Sequence, residues 1–184
     1  MTDRDRWNER YVGVDAPGAP SPSLVALAEH LPRTGSALDV AAGTGRHALW
    51  LARRGLDVTA VDVSEVGLAV AQRAADAERL PVRTIRRDLE RDGLPDGRWD
   101  LILVSNFLHR PLFETIPAHL DPGGLLVVVH PTQTNLQRHP RPGAAHLLGD
   151  RELPSLVDGL ELVLVDEGWT ESGRHEARLI ARAP

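Results

Sequence analysis

Apolar runs and polar breaks alternate along the chain in a rhythm that predicts strands and helices in turn. Short apolar runs of strand length occur at residues 36–42, 57–63, 98–106 and 123–131, with a weaker run at 82–88. Apolar residues at helical spacing predict helices at residues 21–32, 46–55, 64–80 and around 112–120. Strands that alternate with helices in this way indicate a parallel sheet that is covered on both faces.

The C-terminal part of the chain has a different pattern. A polar insert at residues 132–146 is followed by a predicted helix at 150–157 and by two strands, 160–169 and 174–183, joined by a short turn. We therefore expect an α/β fold with a Rossmann-like, doubly wound, seven-stranded sheet, mostly parallel with an antiparallel C-terminal hairpin strand. The pattern predicts one domain over residues 1–184, in which 1–20 form an N-terminal helical segment and a linker.

Composition and charge narrow the classes of function. The chain has no cysteine, which excludes disulfides, thiolate catalysis and cysteine-ligated zinc. Its formal net charge of -5 disfavours a nucleic-acid partner. No apolar run resembles a signal sequence or a membrane span, so we expect a cytoplasmic protein without a membrane partner. A small molecule is the expected partner, and the pattern leaves monomer and homodimer open.

A glycine turn between the first strand and its helix is the main candidate for ligand binding. Gly43 and Gly45 stand in a G-x-G-x-x-A pattern, and Asp62 ends the second strand. This arrangement is typical of dinucleotide sites, although each glycine alone could serve only the turn. Asp39, four residues before Gly43, would repel a pyrophosphate and favour a cationic ligand group. Because the glycine pattern and Asp62 still suit a dinucleotide, a nicotinamide-dependent oxidoreductase remains the alternative.

The segment "LDVAAGTGRHALWLARRG", residues 38–55, resembles motif I of class I S-adenosylmethionine-dependent methyltransferases. The resemblance continues through the later strands to about residue 183, and it implies S-adenosyl-L-methionine as cofactor and S-adenosyl-L-homocysteine as product. It assigns Asp39 to the amino group of the cofactor, Asp62 to the ribose and Asp88 to the adenine. The implied cofactor-binding residues are Tyr11, Asp39, Ala41, Gly43, Gly45, Asp62, Val63, Asp88, Leu89, Ser105 and Asn106.

Three segments are similar, within that family, to small bacterial tellurite-resistance-type methyltransferases: "DRWNERY", "SNFLHRPLF" and "ESGRHEARLIARAP". Those relatives commonly continue the fifth strand into a Glu-Thr-Phe-like segment, whereas this chain has "VVHPTQTN". The departure lies where the substrate would be met. The resemblance therefore implies methyl transfer to a small molecule without identifying the acceptor.

Histidines near the ends of the strands are candidates for chemistry. His109 directly follows the fourth strand, where it could act as a base or orient the acceptor, or could simply begin a surface helix. His47 begins the helix after the glycine turn, and we expect it to be solvated there. His130, His139, Arg141 and His146 have irregular spacing, so we expect solvated loop residues and no metal site. A non-catalytic S-adenosylmethionine-binding module remains a further alternative.

Overall fold

Seven strands form one sheet in the computed structural model, which describes residues 1–184. The strands are β1 (Ser36–Val40), β2 (Asp57–Asp62), β3 (Val82–Arg86), β4 (Trp99–Ser105), β5 (Leu120–Pro131), β6 (Glu161–Trp169) and β7 (His175–Arg182). Their order is β3-β2-β1-β4-β5-β7-β6. The pairs among β1 to β5 are parallel, and β7 runs antiparallel to both β5 and β6. The predicted Rossmann-like α/β fold is therefore confirmed.

Six α-helices connect or flank these strands. They are α1 (Asp3–Tyr11), α2 (Pro22–Val25), α3 (Arg46–Arg53), α4 (Glu65–Glu78), α5 (Leu89–Asp92) and α6 (Arg110–Thr115). The sequence correctly predicted the start of α4, because Ser64 is its N-cap and accepts a hydrogen bond from the Gly67 N–H at 3.0 Å. No helix is long and apolar enough to cross a membrane.

Two of the predicted helices are much shorter than expected. The segment 21–32 contains only the four residues of α2 and a 3₁₀ turn at Ala28–His30. Pro32 disfavours a helical Leu31, and the tighter turn keeps Leu24 and Leu27 buried against the sheet. The segment 150–157 contains only a 3₁₀ turn at Leu153–Leu156, because Arg151 has a positive φ of 61° that prevents helix formation there.

Apolar side chains cover both faces of the sheet. One cluster joins the strands to α2, α3 and α4, and the other joins them to α6 and the segment 147–157. Strand β1 contributes Ala37 to the first cluster and Leu38 and Val40 to the second. The strand order reverses between β1 and β4, so a crevice opens at the carboxyl ends of these strands. The predicted ligand residues lie at that edge.

Candidate functional site

The turn from β1 to α3 has a left-handed backbone at three positions. Ala41, Gly43 and Gly45 have φ values of 56°, 57° and 82°. A Cβ added to Gly45 would lie 2.5 Å from the Cβ of Ala71, so the absence of a side chain lets α3 approach α4 closely. Ala41 adopts a conformation that costs an L-residue about 1–2 kcal/mol. This turn is held in one specific shape by the packing around it.

Helix α1 brings Tyr11 to the glycine turn. A Cβ added to Gly43 would lie 2.5 Å from Oη of Tyr11, so the hydroxyl rests directly on the turn. Asn8 fixes the helix to the start of α4, because its Oδ1 accepts from Oγ of Ser64 at 2.7 Å and its Nδ2 donates to Oε1 of Glu65 at 2.9 Å. Burial, followed by the nearby Asp62 carboxylate, raises the pKa of Tyr11 to about 12.

Asp62 is joined by hydrogen bonds to the turn and to the segment that follows β2. Its Oδ2 accepts from the Gly43 N–H at 2.8 Å, and its Oδ1 accepts from the Ser64 N–H at 2.8 Å. Burial raises its pKa, and the N–H groups of Ser64 and Gly43 oppose that shift. Each carboxylate oxygen keeps a second lone pair, so the structural role leaves Asp62 able to accept from a ligand hydroxyl. The adjacent Val63 is half-buried.

Asp39 is buried in the same region and lacks a complete set of partners. Only 1% of the residue is exposed, and its Oδ2 has no hydrogen-bond partner. Burial is the main cause that raises its pKa to about 7, and the Asp62 carboxylate adds to the shift. A buried acceptor of this kind requires an explanation. A cationic ligand group would stabilise the carboxylate, so the residues present fit S-adenosylmethionine better than a pyrophosphate.

Asp88 and Leu89 follow the next strand, β3. The Oδ1 atom of Asp88 caps α5 by accepting from the N–H groups of Glu90 and Arg91, at 3.1 and 3.3 Å. Leu89 is 5% exposed and belongs to the apolar cluster on the α6 side of the sheet. Asp88 therefore has a capping role that leaves Oδ2 available to a ligand.

Polar residues gather at the end of β4, on the other side of the crevice. Ser105 is buried, whereas Asn106 is exposed and has a φ of 56°. The Nδ2 group of Asn106 donates to Oγ of Ser105 at 3.1 Å, and its Oδ1 accepts from Nη2 of Arg174 at 3.0 Å. His109 is half-buried at the N-cap of α6, where its side chain makes no capping hydrogen bond.

Sequence reasoning missed Arg174 and the buried carboxylate beside it. Arg174 forms an ion pair with Glu176 at 3.3 Å, and Glu176 accepts from Oγ of Ser23. Glu176 is 4% exposed. Only the predicted topology could have indicated this contact. Because β7 runs antiparallel to β5, the first residues of β7 lie at the carboxyl end of β5.

Two histidines are buried, contrary to the expectation of solvated side chains. His47 is 5% exposed, and its Nε2 accepts from the Ser21 N–H at 3.3 Å. His130 is 3% exposed, and its Nε2 donates to the carbonyl of His146 at 2.9 Å. Burial lowers the pKa of His47 to about 3 and that of His130 to about 4. The polar insert folds over His130, an effect that local polarity does not reveal.

The other residues of that histidine group do not meet at one point. His139 is half-buried and donates from Nε2 to the Gly173 carbonyl at 2.8 Å, whereas Arg141 and His146 are exposed. A groove of 680 Å³ lies elsewhere, between the linker at 15–20 and the outer surfaces of α3 and α4. Arg46 and Leu49 connect that groove to the glycine turn, because Arg46 follows Gly45 and Leu49 contacts it. The candidate site is therefore the open crevice at the carboxyl ends of β1, β2 and β4.

About half of the chain is similar in sequence to known methyltransferases. Residues 37–124 match the model of the methyltransferase domain family. The chain is 30% identical over 106 residues to the putative methyltransferase YqeM of Bacillus subtilis, an overlap of 53% of this chain and 42% of that protein. It is 36% identical over 99 residues to the demethylmenaquinone methyltransferase of Thermus thermophilus, an overlap of 50% and 45% respectively. The chain thus spans less than half the length of these curated relatives.

The crystal structure of TehB from Haemophilus influenzae has a similar fold. It superposes with a TM-score of 0.73 and 21% sequence identity, over 98% of this chain and 67% of that one. The segment matched by the family model, residues 37–124, contains the glycine turn and the acids at the crevice. It also contains strands β2 to β4 of the sheet and all of β1 except Ser36. Over residues 37–124 the chain is therefore similar to a methyltransferase domain, and along nearly its whole length it has the fold of TehB.

Proposed function

We propose that the chain catalyses methyl transfer from S-adenosylmethionine to a small-molecule acceptor by in-line displacement. The observation that carries this proposal is the buried carboxylate oxygen of Asp39, which has no partner beside the glycine turn. A ligand with an ammonium and a sulfonium group supplies the positive charge that this position lacks. The family and the fold support the same donor.

The residues around the turn divide the recognition of the cofactor. Asp39 serves the amino group, Asp62 the ribose hydroxyls and Asp88 the adenine, while the N–H groups at the start of α3 suit the carboxylate. Tyr11 packs on the turn and limits the space above Gly43. Ala41, Gly45, Val63, Leu89, Ser105 and Asn106 complete the proposed binding surface.

The end of β4 is the proposed acceptor side. When bound, S-adenosylmethionine supplies a methyl group that is activated by a positively charged sulfur. The acceptor's lone pair forms the new bond to the methyl carbon, while the electrons of the carbon–sulfur bond pass to sulfur. Positioning and exclusion of water supply much of the rate in such a displacement. For a hydroxyl or amine acceptor, we assign His109 to receive the proton.

A nicotinamide-dependent oxidoreductase is the competing function. The G-x-G-x-x-A pattern from Gly43 and the acid Asp62 would suit a dinucleotide. Asp39 disfavours that ligand, since a pyrophosphate beside a buried carboxylate is repelled at short range. A binding module without catalysis would share the cofactor residues and lack the transfer step.

Calorimetric titration of the full chain with S-adenosylmethionine, S-adenosylhomocysteine and NAD separates these functions. We expect the first two to bind with submillimolar dissociation constants and NAD not to bind. Asp39→Asn should abolish binding, whereas Asp57→Asn, a control at the exposed start of β2, should bind as the wild type does. Binding of NAD alone would overturn the proposal. Binding of the cofactor without transfer to any compound in a broad acceptor screen would identify a binding module.

A further inference from the structure

Asp150, Glu167 and His175 meet on the side of the sheet that carries α6, at the base of the polar insert. One ligand atom from each side chain lies within 4.8 Å of the other two. The three residues come from separate parts of the chain: the segment after the insert, the end of β6 and the start of β7. None of the three belongs to the crevice where the cofactor residues lie. The grouping is therefore a separate feature of the fold.

Each of the three side chains is already oriented by a protein hydrogen bond. Oγ1 of Thr132 pairs with Nδ1 of His175 at 2.8 Å, so the imidazole Nε2 stays free. The Arg151 N–H donates to Oε2 of Glu167 at 2.9 Å, and Oγ1 of Thr134 donates to Oδ2 of Asp150 at 2.7 Å. Second hydrogen bonds of this kind fix the orientation of metal-ligating side chains.

No arginine pairs with the two carboxylates at this point. Neither Asp150 nor Glu167 forms an ion pair, whereas the nearby Glu152 and Asp166 pair with Arg110 and Arg178. Two carboxylates held close together repel each other, and a bound dication removes that repulsion. An imidazole combined with two carboxylates suits first-row transition metals, whereas Mg²⁺ and Ca²⁺ prefer oxygen ligands throughout.

We infer that Asp150, Glu167 and His175 form a binding site for a divalent transition-metal ion, for which Zn²⁺ is the probe. Ligand atoms around tetrahedral zinc lie roughly 3.4 Å apart, given metal–ligand bonds of about 2.1 Å. The observed separations, all within 4.8 Å, therefore have to shorten by small side-chain movements when the metal binds. Water completes the coordination on the exposed side.

The position of this site gives the metal a structural role. Both ends of the polar insert reach it, since Thr132 contacts His175 at one end and Asp150 stands just beyond the other. The backbone N–H of His175 also donates to Oδ1 of Asn135, inside the insert, at 3.1 Å. A metal bound here ties the insert to the hairpin of β6 and β7. The sequence predicted no metal site among the histidines in and next to the insert, and Asp150, Glu167 and His175 lie outside that group.

Titration of the full chain with Zn²⁺, after treatment with a chelator, tests the site without the cofactor. We expect one Zn²⁺ per chain and an affinity at least about ten-fold weaker in Glu167→Gln and in His175→Asn. Asparagine can keep the hydrogen bond to Thr132 while it removes Nε2. Glu161→Gln, on the same strand, and His30→Asn are exposed controls that should bind as the wild type does. Mg²⁺ should not compete.

Two further measurements make the result independent of the variants' folding. Zinc absorption spectroscopy of the wild-type protein should show one imidazole nitrogen and otherwise oxygen ligands. Hydrogen exchange of residues 133–149 should slow in the presence of Zn²⁺ in the wild type and remain unchanged in His175→Asn. Equal Zn²⁺ affinity in the cluster variants and the wild type, or coordination by two or more imidazoles, would overturn the inference. Because cofactor binding is not measured, failure here leaves the proposed methyl transfer unaffected.

Discussion

The hydroxyl of Tyr11 occupies the space that a side chain at Gly43 would need. The distance from Oη to an added Cβ would be 2.5 Å, and that from Cζ would be 3.2 Å. The backbone N–H of the same glycine donates to Asp62 at 2.8 Å. The glycine turn is thus held between the N-terminal helix and the acid of β2. This arrangement predicts energetic coupling between Tyr11 and residue 43.

A left-handed backbone costs an L-residue about 1–2 kcal/mol. Gly43→Ala should lower the free energy of unfolding by more than this amount, because the new methyl group also meets the Tyr11 hydroxyl. In the double variant with Tyr11→Phe, the hydroxyl is removed and part of that loss should return. The coupling measured by denaturant unfolding of all four proteins should reach at least about 0.5 kcal/mol. Strictly additive free energies of unfolding would show that the two residues do not compete for space.

Asp88 has two proposed roles that substitution can separate. Serine caps helices about as well as aspartate, but its hydroxyl is too short to reach an adenine from the same position. Asp88→Ser should therefore leave the free energy of unfolding within about 0.5 kcal/mol of the wild type and weaken cofactor binding several-fold. Asp88→Ala should weaken binding similarly and also cost about 1 kcal/mol through loss of the cap. Wild-type affinity in the serine variant would assign Asp88 to capping alone.

The proposed role of Asp39 predicts that ligand binding and stability both depend on pH. Its folded-state pKa of about 7 lies above the ordinary value of 3.8, so the folded state holds the proton more tightly than the unfolded state. The resulting stabilisation is fully present below about pH 4 and is lost as the pH rises to about 7. At pH 8 the buried, ionised carboxylate costs the folded protein up to about 4 kcal/mol.

Asp39→Asn should therefore unfold at higher denaturant concentration than the wild type at pH 8 and show little difference at pH 4. The same variant should lose S-adenosylmethionine binding, because an amide supplies no charge for the ammonium group. Wild-type affinity should in turn fall as the pH drops below about 7, where Asp39 becomes protonated. Comparing the variant with the wild type at each pH cancels the titration of His47 and His130. A stability difference that does not vary with pH would contradict this role.

The sequence predicted the sheet, and it predicted that the proposed cofactor residues would lie at one edge of it, because both depend on local patterns. Apolar runs defined the strands, and Asp39, Asp62 and Asp88 each lie within two residues of the carboxyl end of a strand. The carboxyl ends of parallel strands share one edge, so their meeting required no knowledge of packing. The contact of Tyr11 with the turn agrees with the expected proximity of the N-terminal segment to the site.

Features that depend on distant parts of the chain were not predictable in the same way. His130 is buried because the insert folds back over it. The carbonyl of His146 then accepts a hydrogen bond from Nε2 of His130. The approach of Arg174 to Asn106 depends on the pairing of β7 with β5, across a separation of 68 residues. The missing helix at 150–157 reflects the positive φ of Arg151, whose N–H donates to Glu167 on the distant strand β6. Tertiary contacts decide each of these outcomes.

His109 provides a test of the proposed transfer step. On a hydroxyl or amine acceptor found by screening, His109→Ala should lower kcat by about 10²- to 10⁴-fold with little change in KM, since only proton removal is lost. An acceptor that is already ionised, such as a thiolate, should be methylated by the variant almost as fast as by the wild type. His146→Ala, an exposed histidine of the insert, is the control and should leave both acceptors unaffected. Unchanged turnover of the protonated acceptor in His109→Ala would remove His109 from the reaction.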